Sequence, residues 1–75
     1  MADLITIAVR TYPLDDDYIA RDIVLRDPAD NSLSIRYTTN GCPGEPDWQA
    51  PMSVQRFFEW REELPEQIEL GAYSR

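Results

Sequence analysis

The first forty residues alternate between apolar and polar positions. Over residues 4–12, Ile5, Ile7 and Val9 fall on one side and Thr6, Ala8 and Arg10 on the other. A period of two with β-branched enrichment predicts a strand, and Pro13 closes it because proline has no N–H for a central ladder. Asp15, Asp16 and Asp17 form an acidic turn. Across residues 18–26, Ile19, Ile23 and Leu25 share a face interrupted by Arg21. Ile19, Ile23 and Arg26 also fit a short aspartate-capped helix. The turn cluster at residues 27–31, Asp-Pro-Ala-Asp-Asn, favours a strand over 18–26. A third alternating run over 32–39 places Leu33, Ile35, Tyr37 and Thr39 on one side and Ser34, Arg36 and Thr38 on the other.

Residues 40–51 break this rhythm. Two of the three glycines and three of the six prolines lie there, which predicts a loop over 40–52. Asn40-Gly41 is a hairpin signal if Trp48 continues the sheet, but the prolines argue against that continuation. Ser53 then has the character of an N-cap. Val54, Phe57, Phe58, Arg61 and Leu64 recur at helical spacing, with Trp60 flanking the stripe, so a helix is predicted over 53–64. Pro65 ends it, or opens a second short helical turn through Ile68. Gly71 stops ordered structure, and a frayed tail is expected over 72–75. The pattern gives one domain over residues 1–75, of class α+β: a small three-stranded antiparallel sheet with one C-terminal helix packed on one face. The expected core joins Ile5, Ile7, Val9, Ile19, Ile23, Leu25, Leu33, Ile35 and Tyr37 of the sheet to Val54, Phe57, Phe58 and Leu64 of the helix.

Charge and length narrow the functions available. Fourteen acidic residues against seven basic ones give a net charge of −7, with no histidine and one cysteine. Direct phosphate binding needs a positive stripe, so the chain itself is not expected to bind nucleic acid. No segment approaches the ~20 apolar residues of a spanning helix, and no charged leader precedes an apolar run. A cytoplasmic protein with no membrane partner is expected, and an unpaired Cys42 suits a reducing compartment. All seven basic residues are arginine, most simply through GC-rich coding, although arginine also braces carboxylates in bidentate pairs. A core this small lacks disulfide or zinc staples, so either it is efficient for its size or a homodimer or obligate partner contributes stability.

Chemistry is mostly missing. Without histidine there is no ordinary Ser-His-Asp or Cys-His arrangement, and Cys42 has no basic neighbour closer in sequence than Arg36. No phosphate loop exists, since Pro43 separates Gly41 from Gly44 and no lysine follows. Counted from Asp15, a calcium loop would need glycine at Ala20 and glutamate at Arg26, so the three aspartates form a solvated turn. No catalytic residue, metal ligand or cofactor is expected, and the chain is read as a non-enzyme.

The acidic residues are the remaining signal. Glu59, Glu62, Glu63 and Glu66 would share one face if a helix ran through Pro65. With Asp15, Asp16 and Asp17 they could imitate a run of phosphates and occupy a basic groove, against the plainer reading of a solvated face. Trp48 is a candidate apolar anchor, or a lid on the small core. In size, acidity and the segment Ser53-Val54-Gln55-Arg56-Phe57-Phe58-Glu59-Trp60 opening an acidic helix before Leu64-Pro65, the chain resembles the small anti-CRISPR proteins of phages and mobile elements. The resemblance implies a non-enzymatic inhibitor acting in the host cytoplasm as a DNA mimic. Its protein partner would carry a basic nucleic-acid-binding surface, such as a subunit of a type I CRISPR surveillance complex. The partner-binding residues would be Asp15, Asp16, Asp17, Trp48, Glu59, Glu62, Glu63 and Glu66. The alternative is a small homo-oligomeric phage or bacterial accessory protein whose acidity serves solubility alone.

Overall fold

The computed structural model describes residues 3–70 and is a two-layer α+β structure. The tail expected to fray over 72–75 lies outside the described residues. Strands β1 (Ile5–Pro13), β2 (Ile19–Arg26), β3 (Leu33–Thr39) and β4 (Trp48–Met52) precede the helix α1 (Val54–Glu62). A 3-10 turn (Pro65–Gln67) and a short strand β5 (Ile68–Leu70) follow it. The sheet is antiparallel throughout, in the order β4-β3-β2-β1-β5.

The expected three-stranded sheet is therefore corrected to five strands. Both added strands are edges, where sequence signals are weakest. β4 carries Pro51, which pairs with Ser34 at the border of the sheet, where a missing N–H costs no central ladder bond. The prolines of residues 40–51 thus interrupt the loop without excluding a strand after it. β5 has only three residues, too few to show a period, and pairs Ile68 with Arg10 and Glu69 with Val9. The strand reading of residues 18–26 agrees with β2, and the second helical turn after Pro65 is the 3-10 turn.

A register shift between Thr6 and Ala8 decides which residues enter the core. The extra residue, Ile7, forms a β-bulge, so the alternation reverses beyond it. Ile7 packs toward the helix together with Ala8, and Val9 passes to the opposite face. In β2 the helix-side residues are Ala20, Asp22 and Val24, all buried, whereas Ile19, Ile23 and Leu25 occupy the other face. The expected core is corrected accordingly. Ala8, Val24, Met52 and Trp60 form its centre, flanked by Ile7, Leu33, Ile35, Phe57 and Ile68.

Ser53 caps α1 as expected, its Oγ accepting from the Arg56 N–H at 3.0 Å. The helix presents Phe57 and Trp60, one turn apart, to the sheet; their rings stack at 6.0 Å. Trp60 is fully buried rather than flanking the stripe. Val54, Phe58 and Leu64 are each more than half exposed. A nine-residue helix offers only a narrow inward arc, and the large indole fills it. The helix ends at Glu62, and Leu64 turns the chain with a left-handed φ of 47°.

Candidate protein-binding site at the loop end of the sheet

Helix and sheet are joined by a buried polar cluster. Arg10 and Asp22 are cross-strand partners on the helix side of β1 and β2. The Arg10 Nε and Nη2 donate to Asp22 Oδ2 at 3.1 and 2.7 Å, and Nη1 donates to the Trp60 and Glu63 carbonyls at 3.3 and 3.2 Å. Those carbonyls lie at the C-terminal end of α1, where a cation also meets the negative end of the helix dipole. The guanidinium lies 4.8 Å from the Trp60 ring centroid, and the Trp60 Nε1–H and Tyr12 hydroxyl both donate to Asp22 at 3.4 Å. Burial and the Asp22 carboxylate raise the Tyr12 phenol. Every donor the cluster buries has a partner, since no buried side-chain N or O among the described residues is unsatisfied. This is a structural clasp.

Glu63 belongs to the clasp as well. It accepts from Arg10 at 3.2 Å and from Arg56 at 2.9 Å. The Arg56 guanidinium, with Arg10 behind it, holds the Glu63 carboxyl below its usual value. The same pairing raises Arg56. Glu59 lies 4.0 Å from Arg56. The four glutamates do not form one helical row: Glu59 and Glu62 are exposed on α1, Glu63 is its C-cap, and Glu66 sits past the Leu64 reversal in the 3-10 turn.

The carboxylates gather instead around two hairpin loops. β1 pairs with β2 up to Pro13 and Ile19, and β3 with β4 up to Tyr37 and Trp48, so both loops leave the same end of the sheet. Residues 14–18 carry Asp15, Asp16 and Asp17, all exposed; residues 40–47 carry Glu45 and Asp47. Neither loop contains a basic residue. Asn40 ties them together. Its N–H donates to the Ile19 carbonyl at 3.2 Å, its Oδ1 accepts from the Ile19 N–H at 3.0 Å, and its Nδ2 donates to the Asp17 carbonyl at 3.4 Å.

Trp48 borders this acidic rim. It is half exposed and stacks on Tyr37 at 5.5 Å with an interplanar angle of 14°, leaving Tyr37 only 7% exposed. The Tyr37 hydroxyl donates to Glu45 at 3.3 Å, and the Thr39 N–H donates to Asp47 at 3.1 Å. Burial, with the Glu45 charge beside it, pushes the Tyr37 phenol up to about 12. The indole is thus both a lid, through its inner face, and an exposed aromatic surface, through its outer one.

Of the residues singled out in the sequence, Asp15, Asp16, Asp17 and Trp48 share this end of the fold. Glu45 and Asp47 join them. Their proximity to a tryptophan was readable, but a loop without a following strand gave them no fixed place. Cys42 is half-buried in the same loop; its carbonyl accepts from the Glu45 N–H at 3.3 Å, and its thiol makes a long contact, 3.8 Å, with the Pro43 carbonyl. No group of acidic or cysteine side chains able to hold a metal occurs among the described residues, and no helix among them is long and apolar enough to cross a membrane. Comparison with family models, curated proteins and solved structures finds no match to this chain.

Proposed function

We propose that the chain is a non-enzymatic binding protein that occupies the basic, nucleic-acid-binding surface of a protein partner, as an anti-CRISPR-like DNA mimic would. The observation that carries the reading is the acidic rim: five carboxylates from two loops joined by Asn40, with no basic residue in either loop and an exposed indole at the border. Carboxylates held on joined hairpins lose less freedom on docking than carboxylates on a loose tail. Their field steers association with a cationic surface and repels anionic ones. Trp48 offers the aromatic face that protein interfaces favour at their centres. A subunit of a type I surveillance complex has the required chemistry, a positive groove for DNA.

The reading is tested by capture from a nuclease-treated bacterial lysate at low salt, with elution by a salt gradient. A basic nucleic-acid-binding subunit should be retained by the wild-type chain, released by salt, and lost with the Asp15→Asn, Asp16→Asn, Asp17→Asn variant. Retention of that subunit unchanged by both salt and the triple variant would overturn it.

A further inference from the structure

The core of the fold holds one guanidinium in a particular way. Arg10 lies 4.8 Å from the Trp60 ring centroid while its Nη2 meets Asp22 at 2.7 Å, so the cation is stacked on an indole and paired with a carboxylate at once. At the loop end of the sheet two of these three parts recur without the third. The Trp48 indole has its inner face on Tyr37, with 14° between the ring planes, and is 48% exposed. Glu45 accepts from the hydroxyl of that same Tyr37, and Asp47, next to Trp48 in the chain, accepts from the Thr39 N–H. Each bond engages one oxygen; among the described residues Glu45 Oε1 and Asp47 Oδ2 accept nothing. Neither carboxylate is in an ion pair there.

Resting on the reading of this rim as the docking surface for a basic protein, we infer that Trp48 receives an arginine side chain of that partner. The guanidinium stacks on the outer face of the indole, and its N–H groups donate to the open oxygens of Glu45 and Asp47. The surface thereby completes with a foreign cation the arrangement that the core makes with Arg10.

Chemistry selects that occupant. A guanidinium is planar and weakly hydrated, so it lies flat on a ring and still presents N–H groups at its edge for carboxylates. An ammonium is a compact, strongly hydrated point charge, which gives up more water to sit on the same face. A nucleobase would stack on the indole, but its phosphates would meet the carboxylates of both loops. An aliphatic side chain would desolvate Glu45 and Asp47 without a compensating charge. Stacking on Tyr37 fixes the plane of the indole, and one hydrogen bond already orients each carboxylate, so little freedom is lost on binding. A cation on an exposed aromatic face is worth about two- to fivefold in affinity.

Titration of the full chain with an oligo-arginine peptide and with an oligo-lysine peptide of equal length, at fixed salt, tests the site. Heteronuclear NMR follows it, because the Nε1–H signals of exposed Trp48 and buried Trp60 report separately. The arginine peptide should shift the Trp48 signal to saturation and bind about two- to fivefold more tightly than the lysine peptide. Trp48→Leu, which keeps an apolar cover over Tyr37 but has no π face, should abolish that preference. The Glu45→Gln, Asp47→Asn double variant should weaken the arginine peptide more than the lysine peptide, and far-UV circular dichroism confirms that each variant is folded. Equal affinity of the wild type for the two peptides overturns the inference, as does an arginine preference that survives Trp48→Leu or is untouched by the double variant. A basic subunit captured from lysate without any arginine preference sinks the Trp48 site alone. An arginine preference without such capture sinks the docking reading and leaves the guanidinium site standing.

Discussion

Removing the charge of Asp22 isolates the contribution of the buried clasp. The side chains of Arg10 and Asp22 are 9% and 6% exposed and meet at 2.7 Å. Asp22→Asn keeps the volume and leaves the guanidinium only the half-exposed Glu63 carboxylate, 3.2 Å away, as a compensating charge. Removing one partner of a buried pair costs ~3–5 kcal/mol, because the desolvated survivor remains. At ~0.05–0.15 kcal/mol per residue, a chain of this length has roughly 4–11 kcal/mol of stability in all. The substitution should therefore remove about a quarter or more of it. Urea unfolding at neutral pH, followed by far-UV circular dichroism and by the fluorescence of buried Trp60, measures the loss. The double variant Arg10→Met, Asp22→Leu removes both charges and should lose less than Asp22→Asn alone, even though it also gives up the bonds from Arg10 to the helix C-terminus. A loss below about 1 kcal/mol for Asp22→Asn, or a double variant as unstable as the two single variants summed, would refute the clasp.

Three further outcomes follow from the same contacts. Glu63 is held below its ordinary 4.5 by Arg56 and Arg10, so its stabilisation is complete above that pH and is lost as pH falls through the lower folded value; Glu63→Gln should flatten the acid limb of a plot of urea midpoint against pH. Tyr37 is raised from 10.0 to about 12, so its contribution is complete below pH 10 and declines as pH rises toward 12. The matching alkaline decline should shrink in Tyr37→Phe. Leu64 holds a left-handed φ of 47° and is 54% exposed. Leu64→Gly should stabilise by up to about 1 kcal/mol in urea unfolding, and Leu64→Val should destabilise, since β-branched residues tolerate that region least.

Much of the fold is legible in the residues, and the failures have identifiable causes. β1, β2 and β3 follow from alternation, and Ser53 announces its helix through a short polar side chain ahead of an apolar stripe. The face of β2 was misassigned because Ile23 and Leu25 are more hydrophobic than Ala20 and Asp22. The bulge at Ile7 and the partnership of Asp22 with Arg10 reverse that choice. A hairpin centred on Asp16 does pair residue 10 with residue 22, so the clasp was accessible from the position of the turn. In the sequence Phe57 and Phe58 define the stripe and leave Trp60 on its flank; the cation beneath the indole, invisible without the register, holds it inward.

The candidate site divides along the same line. Asp15, Asp16 and Asp17 are local in sequence and stayed together. The glutamate row depended on a continuous helix through Pro65, and the reversal at Leu64 disperses it. Glu45 and Asp47 reach the rim only because β4 brings their loop back beside residues 14–18, a long-range consequence of strand pairing.

Competition for a partner is the most direct test of the central claim. The captured basic subunit is loaded with a fluorescently labelled duplex and titrated with the chain, and duplex release is followed by anisotropy at fixed salt. Complete displacement is expected from the wild type, and little from the Asp15→Asn, Asp16→Asn, Asp17→Asn variant. A ternary complex, with the duplex still bound at saturating chain, would contradict it.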